Sequence, residues 1–347
     1  MADQMQRVVL AARPEGEPKL SDFRLEEAPI PARPDGGILV RVLWQSLAPY
    51  MRGRMDESKS YAAAVPIGGT MEAGCVGEVM SSDNPKFREG DIVEGRFGWC
   101  SHAAISGEGV RKVDPTIAPI QTAVGVLGMP GLTAYVGFLD HGRPKEGETL
   151  VVGACTGAVG SVVGQLAKIK GLRAVGVAGG PDKCSFAVNE LGFDACLDHK
   201  AAPDDKVLRG QLKEHCPDGV DVYFENVGGK TTDAVMPMMN VWGRIPICGM
   251  ISQYNLGGMG TGHVDGPDRL PKYWRMILVQ RLSLRGFIIT DHYNRFRAFQ
   301  EEVGSYIRDG RLKYREHVTE GLENAPAAFL DMLKGGNFGK TLIKVAD

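Results

Sequence analysis

Residues 149–183 read TLVVGACTGAVGSVVGQLAKIKGLRAVGVAGGPDK: an apolar strand, a glycine turn, a helix, a second apolar strand and then a lysine. The pattern predicts a strand at Leu150–Val152, a helix at Ser161–Lys170 closed by Gly171, and the second strand of a βαβ unit at Ala174–Ala178. Ala154, Gly157 and Gly160 keep the first turn small, so backbone N–H groups can approach a pyrophosphate at the start of the helix. A strict G-x-G-x-x-G would need glycine at 155, where the chain has Cys155, so the turn alone leaves a ligand-free α/β domain open. Val220–Glu225 and Ile245–Cys248 read as further parallel strands alternating with helices, which extends the unit into a doubly wound α/β domain.

The end of the second strand bears on which dinucleotide fits. An NAD site places Asp or Glu about 20 residues past the glycine turn, to accept from the ribose hydroxyls. Here that position is Gly180, in the run Gly179, Gly180, Pro181, Asp182, Lys183. No acid stands at the strand tip and an ammonium follows, which favours NADPH. Asp182 is the residue that could spoil the phosphate site, and the lesser alternative for Lys183 is a solvated lysine at a helix start.

Composition narrows the class. With 347 residues the chain is long enough for two domains, and 40 Lys and Arg against 42 Asp and Glu leave a net charge of −2. No long block of one sign exists, which argues against nucleic acid or an anionic membrane as partner. The start MADQMQRVVL lacks the apolar core of a signal peptide and no run of 18 apolar residues occurs, so a cytoplasmic location is expected. Cysteines at 75, 100, 155, 184, 196, 216 and 248 include no C-x-x-C pair, so neither a disulfide frame nor a cysteine zinc lobe is encoded.

Along the chain, residues 1–122 read as short β segments broken by Pro and Gly, and 123–309 as alternating α/β. Residues 310–347 turn extended again around an amphipathic helix at Leu322–Leu333, and are expected to return to the first domain. A cleft between two such domains is the expected active site. Its shape would be set by loops at Tyr50–Met71 and at Leu256–Arg269, the second glycine-rich (GGMGTGHVDG) and expected to be mobile.

Eight segments carry a resemblance: SLAPYMRGRM (46–55), GDIVEGRFGW (90–99), LGMPGLTAYVGFLD (127–140), ACTGAVGSVVGQLAK (154–168), YFENVGG (223–229), ICGMISQYN (247–255), GFII (286–289) and GGNFGKTLIKV (335–345). In this order the chain resembles the zinc-independent alkenal/enone double-bond reductases of the medium-chain dehydrogenase/reductase superfamily, the branch with the leukotriene B4 dehydrogenase/prostaglandin reductases and curcumin-reductase-like proteins. The resemblance implies an α/β fold: a Rossmann nucleotide-binding domain plus a GroES-like, mainly β catalytic domain. It implies NADPH-dependent reduction of enones or enals by hydride transfer to the β-carbon, and a homodimer in which the strand within RLSLRGFII (281–289) pairs with its copy. A zinc-free quinone reductase, oxidation of a secondary alcohol with NADP, and a noncatalytic NADPH-binding protein remain the alternatives.

The resemblance also assigns roles. Gly157, Ala158, Val159 and Gly160 would face the pyrophosphate, with Gly180 and Lys183 at the 2′-phosphate. Asn226 would lie along the cofactor with Cys248 and Ser252 beside it, Phe287 and Ile288 would meet the carboxamide end, and Asn337 would reach in from the C-terminal segment. Tyr50 and Tyr254 match tyrosines that line the substrate pocket. Two residues depart from the family pattern: Ala48 stands where relatives carry the Asp of DPYMR, and His199 where many have a tyrosine near the adenosine phosphate, a place that His199 or Lys200 could fill.

The residue types fit chemistry without a metal. Catalytic zinc in related alcohol dehydrogenases needs an early cysteine and a G-H-E segment. This chain offers Pro49 and Tyr50 in the first region and GGTMEAGCVG in the second, and His102, 141, 199, 215, 263, 292 and 317 all read as ordinary. No tyrosine is followed four residues later by lysine, so short-chain dehydrogenase chemistry is also missing. Reduction of a conjugated double bond spreads charge to an enolate oxygen, which one positioned phenol can stabilise. Tyr254 is the expected donor, with water or the same tyrosine protonating the α-carbon. The alternative is that Tyr254 only packs; Tyr50 is a second donor or a pocket wall.

Overall fold

A computed structural model describes residues 4–257 and 268–346, so most of the glycine-rich loop expected to shape the pocket, His263 included, lies outside the described residues. The chain divides into two compact units. The first takes 4–128, 254–257 and 316–346, and the second 129–253 and 268–315.

The first unit opens with a hairpin, β1 (Gln4–Leu10) against β2 (Phe23–Pro29). It continues through β3 (Ile38–Ser46), a single helical turn α1 (Met51–Arg54), β4 (Gly74–Ser82), β5 (Ile92–Arg96), β6 (His102–Ile105) and β7 (Arg111–Lys112). Alternation in Ile38, Val40 and Val42 sends those side chains into the core while Arg41 pairs with Glu78 across to β4.

The second unit runs α2 (Met129–Val136), β8 (Thr149–Gly153), α3 (Gly160–Ile169), β9 (Arg173–Ala178), α4 (Pro181–Asn189), β10 (Ala195–Asp198), α5 (Asp205–His215), β11 (Val220–Phe224), α6 (Gly229–Val235), β12 (Met239–Ile247), α7 (Leu270–Gln280), β13 (Ser283–Gly286) and α8 (Phe296–Arg308). Its strands form one parallel sheet in the order β10-β9-β8-β11-β12-β13. The five residues of β8 are all buried, as a strand covered on both faces demands. The predicted helix and strands of 149–183 are all present, and Gly171 leaves α3 with a left-handed φ of 78°.

The chain then returns to the first unit with β14 (Glu316–Glu320), α9 (Ala325–Leu333) and β15 (Lys340–Lys344). β15 pairs antiparallel with β3 and parallel with β14, giving the order β14-β15-β3-β4-β5-β7 with β6 on β3. Phe329 of α9 closes an aromatic cluster with Trp99 and Phe23, whose rings stack at 5.6 Å. No helix among the described residues is long and apolar enough to cross a membrane.

Candidate cofactor and active site

The turn after β8 starts at Ala154, held in the left-handed region at φ 51°, where a non-glycine residue is strained. Gly157 N donates to Ala154 O at 2.9 Å and the chain enters α3 at Gly160. A Cβ on Gly160 would lie 2.4 Å from Ala154 O, so only glycine lets the helix start this close to the strand. Gly157, Ala158 and Val159 stand half-buried at the N-terminus of this ten-residue helix, where the dipole and oriented N–H groups suit an anion.

At the tip of β9, Gly180 takes φ 101° and donates its N–H to Asp198 Oδ1 at 2.8 Å, so the acid near this corner is engaged with backbone. Lys183 lies in the first turn of α4 and Asp182 beside it is exposed. A Cβ on Gly179 would come within 3.0 Å of His199 Nε2 and of Lys200 Cε. Lys230 Nζ donates to His199 O at 2.6 Å and to Ala202 O at 2.5 Å. Burial first, then Lys230, with Lys200 and Lys183 adding, holds the His199 imidazole below its usual range against the pull of Asp198. Four basic residues therefore gather here. Lys230 was not singled out in the sequence because it starts a helix 47 residues beyond Lys183 and only the fold returns it.

A second group collects at the carboxyl ends of β8, β11 and β12. Asn226 Nδ2 donates to Gly153 O at 2.9 Å, Ile251 N to Asn226 O at 3.2 Å, and Ser252 Oγ to Val227 O at 2.6 Å. Cys248 N donates to Glu225 O at 2.9 Å, and burial followed by the Glu225 charge pushes the Cys248 thiol up to about 12. The sheet order reverses between β8 and β11, the switch point at which open α/β sheets bind ligands. Phe287 and Ile288 follow β13. A Cβ on Gly137 would lie 2.6 Å from the Phe287 ring, which on another side meets His141 at 4.9 Å.

In the first unit Tyr50 precedes α1, with the Arg54 guanidinium 5.8 Å from its ring centre. Burial, then the Glu72 carboxylate, raise its phenol well above the usual range, so it stays a donor. Arg52 is 1% exposed: Nε donates to Asn255 Oδ1 at 3.2 Å, one terminal nitrogen to Asp56 at 2.7 Å and the other to Gly16 O at 3.0 Å. It thereby ties the segment that begins at Tyr254 to α1. Tyr254 itself is half-buried in the 3₁₀ turn Ile251–Leu256. Asn337 Nδ2 donates to Gly339 O at 2.8 Å in the loop before β15. Ala48 is buried, so the aspartate of the family pattern would have to bury a carboxylate there.

Two family models match this chain: "N-terminal domain of oxidoreductase" over residues 6–113 and "Zinc-binding dehydrogenase" over 158–304. The second description implies zinc, but among the described residues no group of three or more His, Cys, Asp or Glu side chains could hold a metal ion. The described residues do not fit that metal. The NADPH-dependent curcumin reductase of Escherichia coli is 49% identical over 341 residues, 98% of this chain and 96% of that protein. Prostaglandin reductase 1 of Rattus norvegicus is 40% identical over 95% of this chain and 96% of its own. The 2-alkenal reductase (NADP(+)-dependent) of Nicotiana tabacum is 38% identical over 98% and 97%. Among solved structures, CurA from Vibrio vulnificus in complex with NADPH superposes with a TM-score of 0.91 at 46% identity, covering 99% of each chain.

Proposed function

Because the chain belongs to the alkenal/enone double-bond reductase branch of the medium-chain dehydrogenase/reductase superfamily, we propose that it reduces the α,β-double bond of enones and enals with NADPH, by hydride delivery to the β-carbon and without a metal. The observation that carries the cofactor choice is the corner at Gly180, where Lys183, Lys200, Lys230 and His199 gather and the nearby Asp198 is bonded to backbone. NADPH supplies the hydride when bound. In this reading Gly157, Ala158, Val159 and Gly160 receive the pyrophosphate, Gly180 and Lys183 with His199 the 2′-phosphate, and Asn226, Cys248, Ser252, Phe287, Ile288 and Asn337 the nicotinamide half. Tyr254 donates to the developing enolate oxygen, and Tyr50, kept as a phenol, is the second donor or the wall.

The test supplies NADPH with an enone, an enal, a curcumin-like diketone and a quinone, and NADP with secondary alcohols, following nicotinamide absorbance. Saturated ketone formed from the enone supports the reading. Turnover of quinone or alcohol alone overturns it.

Two further properties belong to this reading. The first is a homodimer: among the described residues β13 pairs only with β12, its four residues are exposed, and Leu278 (77%), Trp242 (65%) and Trp274 (60%) on the same unit stand in solvent. Light scattering that found a stable monomer at micromolar concentration would count against it. The second is a cytoplasmic location, supported by seven free thiols, as a reducing compartment keeps them.

A further inference from the structure

Glu225, the residue after β11, is 4% exposed and stands where the sheet order reverses. One carboxylate oxygen, Oε1, accepts from Val227 N at 2.7 Å and Gly228 N at 2.9 Å; the other, Oε2, accepts from Tyr223 Oη at 2.9 Å and from Thr232 Oγ1. Its backbone joins in: Glu225 N donates to Pro246 O, and Glu225 O accepts from Cys248 N and Gly249 N. A buried carboxylate with four donors is a costly group to keep unless all of them are satisfied, and here they are.

We infer that Glu225 is the positioning residue of the cofactor crevice: it fixes the turns 226–229 and 248–252 against Gly153, so that Asn226 and Ser252 stand ready for the nicotinamide half before any cofactor arrives. The coupling is physical. Val227, held at its N–H by Glu225, packs so tightly over Gly153 that a Cβ there would lie 2.9 Å from its side chain, and its carbonyl accepts from Ser252 N at 3.0 Å and from Ser252 Oγ. Gly228, bonded to the same oxygen, takes φ 80°, and a Cβ on it would meet Ser252 Oγ at 3.1 Å. Loss of the carboxylate would leave two backbone N–H groups unpaired, and the turn would have to rotate to find water. Preorganised groups held within a fraction of an ångström are what hydride transfer requires.

This inference rests on the NADPH reading, and its experiment separates the two. Reduced-nicotinamide fluorescence on binding, kcat, and KM for both NADPH and NADH are measured for the wild type, Glu225→Gln, Glu225→Leu and Thr232→Val. Glutamine can point its oxygen at Val227 and Gly228 and its amide at the two hydroxyls, which can turn to accept; it should stay within about threefold of wild type. Leucine should raise KM for NADPH and lower kcat by about tenfold or more, the equivalent of one to two lost hydrogen bonds. KM for NADH should rise in the same proportion, since the adenosine phosphate corner is untouched. Thr232→Val, which removes one donor and little volume, should move the same constants by about two- to fivefold. If the leucine and valine variants melt lower yet keep wild-type kcat and KM, Glu225 is structural only and the inference fails. Absence of NADPH binding by the wild type would instead remove the reading beneath it and the inference with it.

Discussion

Lys340 opens β15 fully buried, with Nζ donating to Leu47 O and with Glu316 as the carboxylate facing it; Glu316 also accepts from Gln121 at 3.2 Å. Burial pulls this ammonium from 10.5 down to about 7, against the opposing pull of Glu316. The displacement disfavours the charged form by about 5 kcal/mol. Unfolded, the lysine keeps its proton up to 10.5; folded, it releases it near 7, so between those values the unfolded state binds more protons and stability rises with pH. The cost is complete below about 7 and has gone above about 10.5. Between pH 7 and pH 9 the wild type should therefore gain about 2 kcal/mol over Lys340→Met, which has nothing to titrate. For a unit of this size that is about 4–8 °C in Tm. Burial also raises the Glu316 carboxyl, so both proteins are best compared in a Glu316→Gln background, where only the lysine differs. Calorimetric melts at both pH values give the result. Parallel pH profiles for the two proteins would refute the reasoning, because a lysine that stays charged, or that water reaches, would titrate alike folded and unfolded.

Lys183→Ala should raise KM for NADPH several-fold and leave NADH nearly untouched, because only the 2′-phosphate loses a partner; equal weakening of both cofactors would make Lys183 structural. Tyr254→Phe should lower kcat by about 10²-fold with little change in NADPH affinity, as expected for one oxyanion donor. A loss under about tenfold would make Tyr254 a wall and Tyr50→Phe the next variant. Exhaustive chelation should leave turnover intact, and metal analysis should find less than one zinc per chain; stoichiometric zinc whose removal abolishes activity would overturn the metal-free mechanism. Arg52→Lys keeps the charge but loses the fork that reaches Asn255, Asp56 and Gly16 together, so kcat should fall while NADPH binding holds; an unchanged kcat would show that the Tyr254 segment is held by other contacts.

The βαβ unit at 149–183 was legible because its information is local: apolar periods, small residues at the turn, and a glycine after the helix. The strand at 281–289 was only half legible. Its apolar residues announced a strand, yet β13 spans only Ser283–Gly286 and all four are exposed, since an edge strand's partner is absent from its own sequence. Glu225 read as no more than the end of a strand. The available signal was an acid closing the strand segment Val220–Phe224, with Asn, Val, Gly and Gly after it, and that pattern says neither that the carboxylate is buried nor which donors receive it.

Three of the residues that sequence reading missed share one physical trait. Arg52, Glu225 and Lys340 are each buried and ionisable, and burying such a group is tolerated only where partners are in place. Arg52 finds them on residues 16, 56 and 255, and Lys340 on residues 47 and 316. Apart from Asp56, four residues beyond Arg52, these separations leave no periodic trace, because the partner can sit anywhere the fold brings it. Yet each of these groups lies at a junction between segments: α1 with the Tyr254 segment, β15 with the strand-end loop that leads to Tyr50, β11 with the turns on either side of the switch point. A charged residue inside an otherwise apolar or motif-rich stretch is thus a sequence-level pointer to a junction even when its partner cannot be named, and in this chain three such pointers fall beside the residues proposed to bind cofactor and substrate.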